Sequence, residues 1–340
     1  MKHWILMGLS IFIFSACQVE AFDPEWGHGP LPARNYAPVA NHFLNMVATP
    51  AKTLSKNQWQ IKTEFVESNA ILLEETPEVN GVIKHETLRF SLNVNYGLTD
   101  RFQIGVEVPA FYRFDGFLNS FIESVEDAFA HLNPSRVKLI NNEFDYRIDL
   151  NGQRIIEGEE DDVGLGDLIL NTRWVAIKEG ETRPAVALRL ALKVPTGDTA
   201  KSFGSGDPDV GLGLAVQKGF GKKWVWYSNV NGVFPTGDFM DTGLDLAPFF
   251  SGMLAMEYRP IPRFSILTQF EYFSTPFHGI NSPILEDGVG EITAGISYLI
   301  RENFLFQMGG TENFTDPFPD GSSADFSFFV TFGYQFEREG

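Results

Sequence analysis

Between residues 58 and 336 the chain breaks into about twelve strand-sized segments, and each has one alternating face free of charge. The segments are 58–71, 86–98, 102–114, 167–177, 184–195, 209–220, 224–234, 249–258, 264–273, 290–300, 304–310 and 325–336. The last is the plainest. Phe326, Phe328, Val330, Phe332, Tyr334 and Phe336 form one set of alternate residues, and Asp325, Ser327, Phe329, Thr331, Gly333 and Gln335 the other. A period of two with one apolar, aromatic-ended face demands a strand with lipid or core on one side and polar surroundings on the other. The apolar set is the expected lipid face. Ser327, Thr331 and Gln335 are expected in a lumen, with Asp325 at its rim.

The connections carry independent information. Short turns are expected at 99–101, 178–183, 221–223, 259–263 and 301–303, and long ones at about 72–85, 115–166, 196–208, 235–248, 274–289 and 311–324. Short and long alternate, as they do in barrels with short periplasmic turns and long external loops. A soluble β-sandwich predicts no such alternation. An even strand number also suits a single-chain bacterial barrel. The fold class expected is all-β: a transmembrane antiparallel up-and-down β-barrel of about twelve strands, with both termini periplasmic. Aromatic-rich terminal strands ending in Phe resemble those of bacterial outer-membrane barrels, and Phe336 occupies that place, followed by the tail 337–340.

Composition narrows the function classes. No internal stretch of about 18 apolar residues exists, which excludes a helical membrane protein. An aromatic share of 14% with 32 Phe suits membrane-facing strands with aromatic girdles. The formal charge of −18 argues against a nucleic-acid partner, which needs a basic face. At the N-terminus, Lys2 and His3 precede the apolar run 4–14, the pattern of a signal peptide over residues 1–21. Two processing readings compete: cleavage after Ala21, on the small-x-small run Val19-Glu20-Ala21, or lipidation of Cys17 at a lipobox-like Phe14-Ser15-Ala16-Cys17. Cleavage after Ala21 leaves no cysteine, in keeping with an exported protein without disulfides. Bacterial outer-membrane localisation follows.

The inward faces of the barrel, residues 56–336, carry candidate lumen-lining charges of both signs. They are Lys62, Arg89, Arg113, Arg173, Arg189 and Lys193 against Glu64, Glu107, Asp167, Glu257, Glu271 and Glu291. Matched signs point to a salt-bridged, partly filled interior and not to a one-sign conduit. Residues 22–55 contain Gly27-His28-Gly29-Pro30-Leu31-Pro32-Ala33-Arg34-Asn35, where proline and glycine rule out a long helix. Two readings of this segment stand: a plug folded into the lumen, with Arg34 and Asn35 as its contact residues, or a periplasmic extension.

The Gly29-Pro30-Leu31…Arg34-Asn35 motif, followed by paired long-loop and strand units, resembles an uncharacterised family of Gram-negative outer-membrane proteins known as a domain of unknown function. The resemblance covers nearly the whole mature chain. It implies a transporter-like barrel, and it brings no activity or catalytic residue with it.

Two local repeats stand out. Val194-Pro195-Thr196-Gly197-Asp198 recurs as Phe234-Pro235-Thr236-Gly237-Asp238, and 162–167 recurs as 209–213. They read as hairpin grammar, in which proline ends a strand and Gly-Asp turns the chain; the pattern is similar to barrels proposed to carry hydrophobic compounds. A calcium site from Asp198, Asp207, Asp209 and Asp238 is the sharper alternative, although their spacing matches no defined calcium loop. In the longest loop, Phe117, Leu118, Phe121, Ile122, Val125, Phe129 and Leu132 recur at helical spacing. The acidic run 157–162 reads as solvated loop, with divalent ions at lipopolysaccharide phosphates as the alternative. A hydrolase would need a histidine-activated nucleophile. Of His28, His42, His85, His131 and His278, only His278 has one nearby in sequence, at Ser282 beside Asn281.

The expectation is therefore a channel or transporter-like barrel for small solutes, hydrophobic ones included, with no cofactor and no catalytic residue. The alternatives are a structural barrel whose loops bind lipid or an external partner, and a barrel hydrolase. Its partners would be outer-membrane lipid and lipopolysaccharide, the barrel-assembly machinery, and a small-molecule solute.

Overall fold

The computed structural model describes residues 27–116, 144–314 and 323–337. Twelve antiparallel strands close into a barrel: β1 (Gln58–Glu75), β2 (Val79–Thr99), β3 (Phe102–Phe114), β7 (Leu168–Ile177), β8 (Ala185–Val194), β9 (Asp209–Phe220), β10 (Trp224–Pro235), β11 (Phe249–Ile261), β12 (Phe264–Phe273), β13 (Val289–Arg301), β14 (Phe304–Phe314) and β15 (Phe326–Glu337). Each pairs with its neighbour in sequence. The terminal aromatic run closes the ring: β15 pairs with β1 from Trp59↔Phe336 to Asn69↔Phe326. Closure removes the sheet edge, so every spanning backbone group finds a partner where lipid offers none. Glu337, read from sequence as the first tail residue, belongs to β15 and pairs with Gln58.

The two faces part as the period of two requires. Phe65, Leu88, Trp174, Leu212, Leu254 and Phe328 are among the large apolar side chains left exposed on the outside. Their neighbours in sequence, such as Glu64, Thr87, Arg89, Gly211, Met253 and Phe329, point inward. Water-exposed, this outer surface would be one continuous apolar patch; facing lipid it is the expected solvent. Aromatic pairs mark the level of the short turns: Trp59–Tyr96 at 4.6 Å and Trp224–Tyr258 at 4.5 Å between ring centroids, with Tyr334 stacked on Phe336. They make the aromatic girdle of an outer-membrane barrel.

The long-loop end departs from expectation at two places. Residues 72–85 are no loop. β1 and β2 run on past the end of β15 as a paired ladder from Ala70↔His85 to Glu75↔Asn80. The charge-free-face criterion failed here because residues 69–72 and 81–87 are buried on both faces, so polar and apolar residues no longer alternate. The 115–166 connection, in turn, contains sheet: β4 (Asp145–Leu150), β5 (Gln153–Glu157) and β6 (Val163–Leu165). β4 adds to the upper part of β2 and β6 to the upper part of β3. The acidic residues 157–162 form the end of β5 and the turn into β6. The helical stripe from Phe117 to Leu132, His131 and the signal segment 1–21 lie outside the described residues. Among the described residues no helix is long and apolar enough to cross a membrane.

Candidate functional site in the barrel lumen

Residues 27–57 run inside the barrel. They climb from the short-turn end to the long-loop end, turn at a single 3-10 turn (Ala40–His42), and descend to β1. We refer to them as the strap. Most of the strap is buried. Its prolines explain the extended course. With backbone donors that no helix uses, the strap must find acceptors on the barrel wall.

The wall supplies them through side-chain amides, carboxylates and the Tyr227 hydroxyl. At the short-turn end the His28 backbone N–H donates to the Glu257 carboxylate at 3.0 Å, and the Gly29 N–H to the Tyr227 hydroxyl at 3.2 Å. The His28 ring sits between the Pro262 carbonyl at Nε2 and the Ser265 hydroxyl at Nδ1, each 3.0 Å away. A carbonyl only accepts, so Nε2 carries the proton and Nδ1 accepts from Ser265. Burial holds this imidazole below its ordinary pKa. Higher up, Gln269 brackets Leu31 as a backbone neighbour would: its Oε1 accepts the Leu31 N–H at 2.5 Å, and its Nε2 donates to the Leu31 carbonyl at 3.3 Å. On the descending limb Asn229 does the same for Thr49, at 2.8 and 3.0 Å. Gln103 accepts the Leu54 N–H at 3.0 Å.

Charges hold the strap at two levels. Midway, Arg34 donates to both oxygens of Glu107 at 2.9 and 3.3 Å and lies 3.6 Å from Glu64. Arg89 binds the same two carboxylates, with Glu64 at 2.9 Å. Two guanidiniums thus enclose two carboxylates, all four side chains almost wholly buried. Near the long loops, Lys193 donates to the His42 carbonyl at 2.6 Å and lies 3.1 Å from Asp209 and 3.4 Å from Asp167. Asp209 also accepts the Leu44 N–H at 2.7 Å. Arg113 stacks between Tyr146 and Phe203 and donates to the carbonyls of Lys201 and Ser202, tying the loop after β8 to the sheet.

Above the turn of the strap, apolar side chains close the barrel. Val39 and Phe43 pack with Ile83, Ile148, Phe239, Phe277 and Leu285, drawn from the strap, the β1–β2 extension, β4 and two of the long loops. The Phe43, Phe239 and Phe277 rings meet at 5.1–5.6 Å. Towards the short turns the lumen is less full. A cavity of about 700 Å³ lies beside the descending limb of the strap, lined by Lys62, Arg173, Arg189 and many amides.

The twelve charged residues read as lumen-lining all project from the inner face, but they are not uniformly paired. Among the described residues Lys62, Arg113, Arg173 and Arg189 have no carboxylate within ion-pair distance, and Glu271 and Glu291 no cation. Glu271 instead accepts from Gln269 and Thr293, and lies opposite Glu291 across β12 and β13. The expectation of matched, salt-bridged signs is corrected to that extent: the strap's carbonyls, not carboxylates, take Arg173 and Arg189. Asn35 folds the strap on itself, accepting from the Ala37 N–H at 2.8 Å and, through its carbonyl, from Asn45 at 2.9 Å.

The other candidates have local roles. The repeated Pro-Thr-Gly-Asp segments each place the threonine hydroxyl on a carbonyl just before the neighbouring strand, Thr196 on Gly166 and Thr236 on Pro208. Asp198 caps the short turn Thr199–Lys201, Asp238 accepts from Gly243, and Asp209 faces Lys193. Among the described residues no three metal-ligating side chains cluster, so Asp198, Asp207, Asp209 and Asp238 do not form one shell. Ser282 caps the helix Pro283–Glu286 and donates to Glu74 at 2.8 Å, while His278 is exposed and makes no hydrogen bond to it. The contacts that the sequence reading missed are the neutral ones: Tyr227, Asn229, Asn231, Gln269 and Gln103. Each lies on an inward position, and a search for uncharged amides there would have found four of the five.

In overall shape the chain is similar to the crystal structure of an outer membrane channel from Pseudomonas putida F1. The two share 13% identity at a TM-score of 0.55, over 84% of this chain and 98% of that one. Weaker likenesses are to the NanC porin (8% identity, TM-score 0.45, 83% and 100% covered) and to the CymD monoaromatic hydrocarbon channel (7%, 0.40, 89% and 98%). No curated protein matches the sequence. Residues 6–336 match the family described as protein of unknown function (DUF3187). With its closed twelve-stranded barrel and its apolar outer surface, the chain has the build of a transmembrane β-barrel, and it belongs to that family.

Proposed function

We propose that the protein is an outer-membrane channel for small solutes, held shut by its own N-terminal strap. The observation that carries this reading is the lumen itself. Polar wall side chains hold the strap by separate, local hydrogen bonds, beside a cavity of about 700 Å³ on the short-turn side. Wall side chains alone fill a barrel of about eight strands, and a twelve-stranded lumen is wider than that. Here the wall offers amides to a separable segment. Passage requires the strap, or its descending limb, to leave its seat. The outer membrane channel of similar fold supports the reading by analogy.

Export by residues 1–21 belongs to the same reading. The mature chain would begin at Phe22, leaving five residues before the described strap. Intact-mass measurement of protein purified from outer membranes tests this. A lipid-modified Cys17 would move the start and tether the strap to a membrane leaflet. Channel activity itself is read by liposome swelling. A variant lacking residues 27–55 is expected to admit small sugars that the full chain excludes. Exclusion by both, with the variant correctly folded, would leave the structural reading.

A further inference from the structure

We infer that the cavity beside the strap is a binding site for small, hydroxylated organic anions, which makes the channel anion-selective. The inference rests on the channel reading for its selectivity clause and on the cavity alone for binding. Five cationic side chains meet in the middle of the lumen, Lys62, Arg34, Arg89, Arg173 and Arg189, against two carboxylates, Glu64 and Glu107. Both carboxylates are taken up by Arg34 and Arg89. That leaves an uncompensated positive group of Lys62, Arg173 and Arg189. The excess is local, because the chain as a whole carries −18.

The three cations keep donors free. Among the described residues Lys62 makes no hydrogen bond or ion pair, though it lines the cavity. Arg173 uses one guanidinium nitrogen, on the carbonyls of Pro50 and Lys52. Arg189 uses two, on Val47 and on the amide oxygens of Asn229 and Asn231. A guanidinium has five N–H donors, so both arginines can still offer donors to a carboxylate. Neutral carbonyl partners leave the positive charge in place, and a low-dielectric lumen strengthens its pull on an anion. Around these cations stand Gln60, Asn93, Asn95, Asn171, Gln217 and Gln307. Amides donate and accept at once, which suits hydroxyl groups and gives nothing to a hydrocarbon. The volume of about 700 Å³ lies within the usual range for small-molecule sites, about 300–1,000 Å³. The rim at the short turns is mixed in sign, with Lys178 and Asp100 on it and Glu179 held by Lys218, so the selectivity resides in the deeper group.

The test is calorimetric titration of the full chain in detergent with two probes of equal length, gluconate and neutral sorbitol. Gluconate is expected to bind and sorbitol to bind at least tenfold more weakly, with the gluconate affinity falling as salt rises. Arg173→Gln is expected to reduce gluconate affinity at least tenfold. Lys62→Gln, at a residue with no hydrogen bond or ion pair to the strap, is expected to reduce it severalfold and guards against a folding artefact in the arginine variant. Equal binding of the two probes, no binding of gluconate at millimolar concentration, or unchanged affinity in Lys62→Gln would overturn the inference. The readout needs no conductance. A folded variant lacking residues 27–55 that does not conduct, with gluconate binding by the full chain intact, would sink the channel reading and leave the site; a conducting variant beside a full chain that does not bind gluconate would sink the site alone.

Discussion

At the scale of single residues, the strap's seat is set by what the wall leaves out as much as by what it offers. Gly211 sits where a Cβ would come within 2.6 Å of the Met46 sulfur and 2.8 Å of Leu44. Gly211→Leu therefore keeps the strand, since the residue is in ordinary extended backbone, but overfills the seat at a cost of about 1–3 kcal/mol. Faster proteolytic cutting within residues 44–55 is the expected outcome, with the barrel still resistant. Removal of Arg34 has a different cause. Arg34→Ala leaves Glu64 and Glu107 with Arg89 alone, and should loosen the strap by about 3 kcal/mol, the low end of what a broken buried pair costs. His42 gives the strap a pH dependence. Burial, with Arg113 and Lys193 nearby, holds its pKa at about 3, down from the usual 6.5. A released strap binds a proton that the docked one refuses, so docking is fully stable above about pH 6.5 and weakens as pH falls towards 3. His42→Phe, still able to meet the Phe239 ring now 5.4 Å away, should flatten that acid limb of the cleavage profile. Arg34 was legible in the sequence because a lone arginine in a proline-rich segment needs a carboxylate partner. Glu64 and Glu107 were legible as inward charges by strand alternation. Which of them it meets was not, because that depends on the height at which the strap turns.

At the scale of elements, the barrel strands were readable nearly residue for residue where one face meets lipid. β3, β9 and β12 have the limits read from alternation alone. The signal disappears above the membrane, where the β1–β2 extension is buried on both sides and charge no longer marks a face. The apolar closure above the turn of the strap has the least sequence signature, being assembled from the strap, a strand extension, β4 and separate loops. Its aromatic centre gives a direct prediction. Phe43→Ala removes a ring that touches Phe239, Phe249 and Phe277, and should cost about 3–5 kcal/mol. Hydrogen exchange is expected to rise together in residues 39–46, 239–246 and 276–285, and to stay unchanged at the short-turn girdle.

At the scale of the whole molecule, a closed ladder with an apolar outer wall should resist detergent until boiled, so heat-modifiable gel mobility in outer-membrane fractions is expected; equal mobility before and after boiling would count against the barrel. The twelve-strand closure was legible because every strand repeats one rule, outward apolar and inward polar. The contents of the lumen were not, since the same inward polar residues suit a water-filled pore or a strap. The polar wall and the strap fit each other through single amides, and those amides are what a solute would meet once the strap has left. Planar-bilayer recording of the full chain beside a variant lacking residues 27–55 tests this most directly. The full chain should show at most brief, rare openings, and the shortened barrel, verified as heat-modifiable, steady conductance. A folded but non-conducting variant, or full-chain currents equal to the variant's, would contradict a channel closed by its own N-terminal strap.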